Sequence, residues 1–243
     1  MSSPVAERTW VPLTPKERRV LGVLVEKAKT TPEYYPLTLA ATVTGCNQKS
    51  NRDPVTNYDA DDVEDILQDL RHKKAAVLVE GSGRAVRWKH TLYDWLKVSK
   101  VELAVIAELL LRGPQTEGDL RTRASRMEPF ADLPALQAVL ESLASRDLVV
   151  YLSPEGVKRG VVVTHGLYPP AELEKVRQAF ANTAAASDDT EERVVRVAST
   201  RSEPSPPAWV AETAALRDQI ETLRASLEAL AAEVRDLKTS LGA

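Results

Sequence analysis

A lone cysteine, three histidines and the want of any long apolar run are the chief scarcities of this 243-residue chain. Each excludes a class of protein. Cys46 by itself cannot close an intramolecular disulfide, which removes the small secreted scaffolds that depend on such bonds. His72, His90 and His165 have no cysteines at zinc-ligand spacing, so no metal is expected. No apolar stretch approaches the roughly 20 residues of a membrane helix, and residues 1–10 lack the apolar core of a secretion signal. The chain therefore reads as soluble and cytoplasmic, without a membrane partner. Surplus positive charge is also missing. Residues 1–96 carry 14 basic and 13 acidic side chains, residues 97–180 carry 11 and 11, and residues 181–243 carry 7 and 11. A protein that depends on phosphate contacts usually shows a basic excess on its binding domain.

Catalytic patterns are equally scarce. Each histidine falls at a helix end or in a hairpin, with no Cys or Ser–Asp pattern beside it. Gly81-Ser82-Gly83 is too short for a phosphate loop and reads as a turn. The acidic run 59–65 lacks the glycine and terminal glutamate of a calcium loop. No enzyme activity and no cofactor are expected.

What the chain does contain is one unit written twice. Thr14-x-x-Glu17 and Ser99-x-x-Glu102 are both capping boxes, in which a hydroxyl accepts from a backbone N–H three residues on and the glutamate reaches back. After them Val20, Leu21 and Leu24 align with Val105, Ile106 and Leu109. Further on, the stripe Val63, Ile66, Leu67, Leu70 matches Leu136, Val139, Leu140, Leu143 at i, i+3, i+4, i+7 spacing. Each stripe runs into a hairpin pattern, 77–80 with 85–90 and 148–152 with 161–165, joined through Gly- or Pro-bearing turns. Three helices closed by a hairpin describe a winged helix-turn-helix. The expected fold is mainly α with small β-hairpins (α+β): one winged-helix domain over 1–96 and a second over 97–180.

Residues 181–207 are small, polar and proline-rich and read as a flexible linker. Over 208–243 a heptad follows, with Leu216, Leu223, Leu230 and Leu237 at d and Ile220, Leu227, Val234 and Leu241 at a. Leucine at d with β-branched residues among the a positions favours a parallel two-stranded coiled coil. In that register Glu212 faces Arg217 of a second copy and Glu233 faces Lys238. A homodimer is the expectation, against the alternative of one amphipathic helix folded back on its own domains.

Four motifs in order carry a family resemblance. They are the first helix from Glu17-Arg18-Arg19 to Glu26-Lys27, the segment Thr30-Thr31-Pro32-Glu33-Tyr34-Tyr35-Pro36-Leu37, the polar stretch 46–55, and Leu110-Leu111-Arg112-Gly113-Pro114-Gln115-Thr116-Glu117 running on to Arg121. Over about 13–168 the chain closely resembles the bacterial YceH family. That resemblance implies tandem winged-helix units ending in a short coiled coil, and no established biochemical activity. The second hairpin departs from the family, with an apolar Val161-Val162-Val163 where a charged strand is usual.

Nucleic-acid binding is the obvious expectation for such a fold, with the third helix of each unit in a major groove. The residues argue against that docking. The first third helix carries Asp59, Asp61, Asp62, Glu64, Asp65 and Asp69, which suit a helix N-terminus but repel phosphates. The second offers only Ala135, Gln137, Ala138, Glu141 and Ser142 off its apolar stripe. Contacts are instead expected from loops and wings: Lys49, Asn51 and Arg52 in the polar loop, Arg84, Arg87 and Lys89 in the first hairpin, Arg121, Arg123 and Arg126 on the second helix of the second unit, and Lys158 and Arg159 in the second hairpin. Ordinary solvation of scattered cations, and a loop bonded mainly to itself, are the plainer readings of the same residues. The leading expectation is a dimeric nucleic-acid-binding or regulatory factor with duplex DNA as partner. The alternative is a scaffold that binds a protein partner through the same faces.

Overall fold

Both capping boxes close in the structure, a computed structural model that describes residues 10–80, 86–154, 156–157 and 159–197, with side chains to residue 183. In chain order the elements are α1 (Pro15–Thr30), α2 (Leu39–Cys46), α3 (Ala60–His72), β1 (Ala76–Glu80), β2 (Val86–His90), α4 (Leu92–Leu96), α5 (Lys100–Arg112), β3 (Gln115–Thr116), α6 (Glu117–Ala124), α7 (Leu133–Ala144), β4 (Val149–Tyr151), β5 (Val162–His165) and α8 (Pro170–Val197), with a 3-10 turn at Pro32–Tyr34. The fold is mixed α+β with small antiparallel sheets.

The sequence α1-α2-α3-β1-β2 recurs as α5-α6-α7-β4-β5, and the recurrence reaches single hydrogen bonds. Thr14 N–H donates to Glu17 at 2.7 Å and Ser99 N–H to Glu102 at 2.8 Å. Asp59 and Asp132 cap α3 and α7, each accepting a backbone N–H at 2.8 Å. Both helices end through a non-glycine residue in the left-handed region, Lys74 at φ 60° and Asp147 at φ 58°, an uncommon conformation for any residue with a side chain. Behind each, a 6→1 bond ties the chain back, from Ala75 N–H to Leu70 O and from Leu148 N–H to Leu143 O, both 2.9 Å. At the end of each last strand a buried histidine accepts from the backbone two residues on, His90 from Leu92 and His165 from Leu167.

The sheets differ more than their sequences suggest. β1 and β2 pair from Ala76↔His90 to Glu80↔Val86, with Trp88 buried and Lys89 exposed as alternation requires. The second sheet gains a third strand, in the order β3-β5-β4. In the first copy that strand shrinks to one bridge, Leu37↔Trp88, with bonds of 3.1 and 2.7 Å.

The two copies are not beads on a string, because the described residues up to Ala185 cluster as one unit. Their shared core is the packing of α1 on α5. Ten consecutive residues of α1, Glu17 to Glu26, are buried, as are Leu103 to Leu111 of α5. Ten buried residues in a row leave no solvent face, so α1 is packed by its own copy on one side and by α5 on the other. Gly22 permits the approach: a Cβ there would lie 2.9 Å from the Leu111 side chain. Of the segment read as a linker, residues 181–197 continue α8, in keeping with the high helix propensity of Ala184-Ala185-Ala186. The remainder of that segment and the heptad over 208–243 lie outside the described residues.

Candidate functional site

Charge is buried where the two copies meet. Glu26 on α1 and Glu108 on α5 are 4% and 0% exposed, and carboxylates so placed require partners. The loop between α2 and α3 supplies one. Arg52 is 5% exposed; its Nη2 meets Glu26 at 2.5 Å and its Nη1 meets the other oxygen at 3.3 Å. Its remaining donors go to Gly45 O, Gln48 and Asn51 O. From the second copy, Arg126 reaches Glu108 at 3.3 Å and Glu26 at 3.8 Å. Arg112 Nε lies 3.0 Å from Glu108 without the alignment of a hydrogen bond. Burial pushes the Glu108 carboxyl up, opposed by Arg112 and Arg126.

The loop also caps its neighbour. Asp53 N–H donates to Leu111 O at 3.1 Å, one of the α5 carbonyls that has no partner within its own helix, and Asn51 accepts from Arg112 at 2.6 Å. The polar stretch 46–55 is thus a tether between copies. It is more than a self-bonded loop.

Beside this seam lies a cleft of about 340 Å³, bounded by α1, the tether, the end of α5 and the start of α8. Arg18 and Arg19 line it side by side. Arg18 donates to Leu13 O, forms a two-pronged pair with Glu172 of α8, and stacks 4.5 Å over the Tyr168 ring. Arg19 donates from Nη2 to Pro54 O at 2.5 Å. His165 stacks on Tyr168 with centroids 3.9 Å apart; complete burial, aided by the adjacent Arg18, holds its imidazole well below the usual range and hence neutral. Cys46, buried behind the tether, has its thiol pushed up to about 12 by that burial, so it is unreactive at neutral pH.

The structure sorts the residues expected to contact nucleic acid. Arg52 is corrected outright, because it is buried and every donor it has is directed into the protein. Asn51 is engaged with Arg112. Arg87 is half-buried and donates to Pro36 O, and Arg123 donates to Gln115. Arg126 serves the buried carboxylates. Lys49, Lys89 and Arg159 are exposed and Arg121 is half-buried. Arg84 and Lys158 lie outside the described residues. On α3 the solvent face presents Asp61, Glu64, Asp65 and Asp69. Among the described residues, no group of three His, Cys, Asp or Glu is placed to hold a metal ion, and no helix is long and apolar enough to cross a membrane. Arg18, Arg19 and Arg112 stand within the family motifs, but nothing in the sequence pattern marks them, Tyr168 or Glu172 as parts of one site. The available signal is two adjacent arginines directly before the unbroken apolar run from Val20 to Val25 of α1, a run too continuous for a surface helix with one polar face.

The family described as "Protein of unknown function, DUF480" matches residues 13–157. A UPF0502 protein of Rhodopirellula baltica is 49% identical over 180 residues, 72% of this chain and 75% of the relative. UPF0502 proteins of Geotalea daltonii and Geobacter sulfurreducens are 55% and 56% identical over 136 and 130 residues, and the matched region spans 62% and 59% of their lengths. The matched residues contain α1, the tether, α5 and the buried carboxylates Glu26 and Glu108 that join the copies, and on this ground the chain belongs to the DUF480/UPF0502 family of bacterial proteins.

Proposed function

We propose that the chain is a non-enzymatic, cytoplasmic interaction scaffold, built from two winged-helix units of the YceH type fused along α1 and α5, that binds a protein partner. The observation that carries this reading is the outer face of α3. In a winged helix that face enters the major groove, and here it exposes Asp61, Glu64, Asp65 and Asp69. Four carboxylates on one exposed face repel a phosphate backbone and suit a partner with a basic surface. Engagement of Arg52, Arg87, Arg123 and Arg126 within the protein removes much of the cationic set that wings and loops would otherwise bring to DNA.

A nucleic-acid-binding factor is the second reading, favoured by the exposure of Lys49, Lys89 and Arg159 in the loop and hairpins. Fluorescence anisotropy with random-sequence duplex DNA separates the two. The scaffold reading predicts no saturable binding at about 50 mM salt with micromolar protein. Binding that weakens between about 50 and 200 mM salt with a log–log slope of several would establish phosphate contacts and replace the scaffold by the DNA reading.

We also propose that the heptad from Leu216 to Leu241 forms a parallel homodimer. Removing residues 208–243 should convert a dimer to a monomer at micromolar concentration in sedimentation velocity. A dimer that survives the truncation would show that another surface makes it.

A further inference from the structure

We propose that the cleft bounded by α1, the tether and the start of α8 binds a small organic oxyanion, a carboxylate or phosphate ester on an apolar body, with Arg19 as its anchor. Arg19 is 4% exposed and lines the cleft. Its Nη2 is taken by Pro54 O, whereas its Nη1, though buried, has no acceptor among the described residues. Buried charged donors without acceptors are costly and rare in folded proteins. Proximity to Arg52 adds to that cost, since after burial it is the second cause that pushes the Arg19 guanidinium down. A ligand oxygen bonded to Nη1 removes the penalty, and shielding from bulk water makes that bond strong.

Arg18 and Arg52 do not share this state, and Arg112 shares it only at Nε, which faces the Glu108 carboxylate without the alignment of a hydrogen bond. Arg18 is bonded to Leu13 O and Glu172 and covered by Tyr168. Arg52 is saturated by Glu26, Gly45, Gln48 and Asn51. Arg112 lines the same cleft, with Nη2 on Asn51 and Nε against Glu108. Around the cleft the charged side chains are Arg18, Arg19 and Arg112 against Asp53 and Glu172, with His165 neutral. One positive charge is in excess, which fits one anionic group. Apart from Thr56, the rest of the lining is apolar or aromatic, including Tyr58, Leu109, Pro114 and Val176. A volume of about 340 Å³ falls at the small end of ligand sites, roughly 300–1,000 Å³, where a few polar groups orient an apolar body. Both features favour an organic anion over a bare inorganic one.

The test is calorimetric titration of the full chain with benzoate, phenyl phosphate and inorganic phosphate at neutral pH and low salt. At least one aromatic anion should bind with a dissociation constant of about 1 mM or tighter, and inorganic phosphate about tenfold or more weakly, for want of the apolar contact. Arg19→Met should weaken the aromatic anion by about tenfold or more, the loss of a charge-assisted hydrogen bond. Val176→Phe, which narrows the cleft without touching an arginine, should weaken it comparably while leaving the unfolding midpoint near that of the parent chain, so a misfolded Arg19 variant does not decide the matter. Failure of both aromatic anions to bind at about 10 mM, or binding unchanged in both variants, overturns the proposal.

Discussion

Replacing Arg52 by methionine is expected to destabilise the protein by about 3 kcal/mol, an effect larger than that of removing any exposed cation. Arg52 and Glu26 have side chains only 0% and 5% exposed. Removing one partner leaves the other charge buried and uncompensated, a loss of roughly 3–5 kcal/mol. Arg126, 3.8 Å from Glu26, keeps part of the compensation and sets the expectation at the lower end. Urea titration at neutral pH should show the midpoint falling by about 1–2 M for a denaturant slope near 2 kcal/mol per M. The double variant E26Q/R52M should be less destabilised than the sum of its single changes, since no isolated charge remains. An R52M variant within about 1 kcal/mol of the parent chain would show that the pair does not hold the tether in place.

Gly166→Ala should cost at least as much, by a different route. An added Cβ at Gly166 would lie 1.8 Å from the carbonyl oxygen of Asp147 and 2.8 Å from its carbon. Backbone atoms cannot step aside as the end of a side chain can. Asp147 is itself held in the left-handed region at φ 58°, and Gly166 N–H is bonded to Leu148 O at 2.8 Å, so the two segments are pinned together from both sides. Overpacking of this kind costs about 3 kcal/mol or more, which lowers the melting temperature by roughly 6–12 °C for a unit of this size. The first copy supplies the control. There the corresponding position is Thr91, whose N–H bonds Ala75 O and whose hydroxyl bonds Lys74 O at 2.6 Å. A side chain is accommodated at that point, and Thr91→Ala should cost only about 1 kcal/mol, the value of one hydrogen bond. Equal melting temperatures for G166A and the parent chain would mean that the close approach is relieved by a small shift.

The helices and hairpins were legible because their signals are local. A capping box closes within four residues, a stripe within eight, and each hairpin strand edge differs from its sequence expectation by no more than one residue. β3 escaped notice because two residues, Gln115 and Thr116, carry no periodicity. The seam was illegible for a stronger reason. Nothing in the order of residues says that Gly22 is the point where α1 meets Leu111, or that Arg52, in a polar loop, swings inward to Glu26. A cation in a polar stretch has a prior in favour of solvent, and only the long-range packing reverses it. Likewise Arg18 and Arg19 resemble solvated residues until α8 and the tether close over them.

Fusion of the two copies fixes the direction in which each α3-type helix faces, and with it the surface offered to any partner. Native-state amide hydrogen exchange on the full chain tests that fusion most directly. Since α1 and α5 bury one another, their slowest amides should exchange with the same opening free energy and lose protection together as denaturant is raised, the mark of a single cooperative unit. Slow amides in residues 15–90 that open with a free energy clearly different from those in residues 100–165 would show two independently unfolding copies and contradict the account.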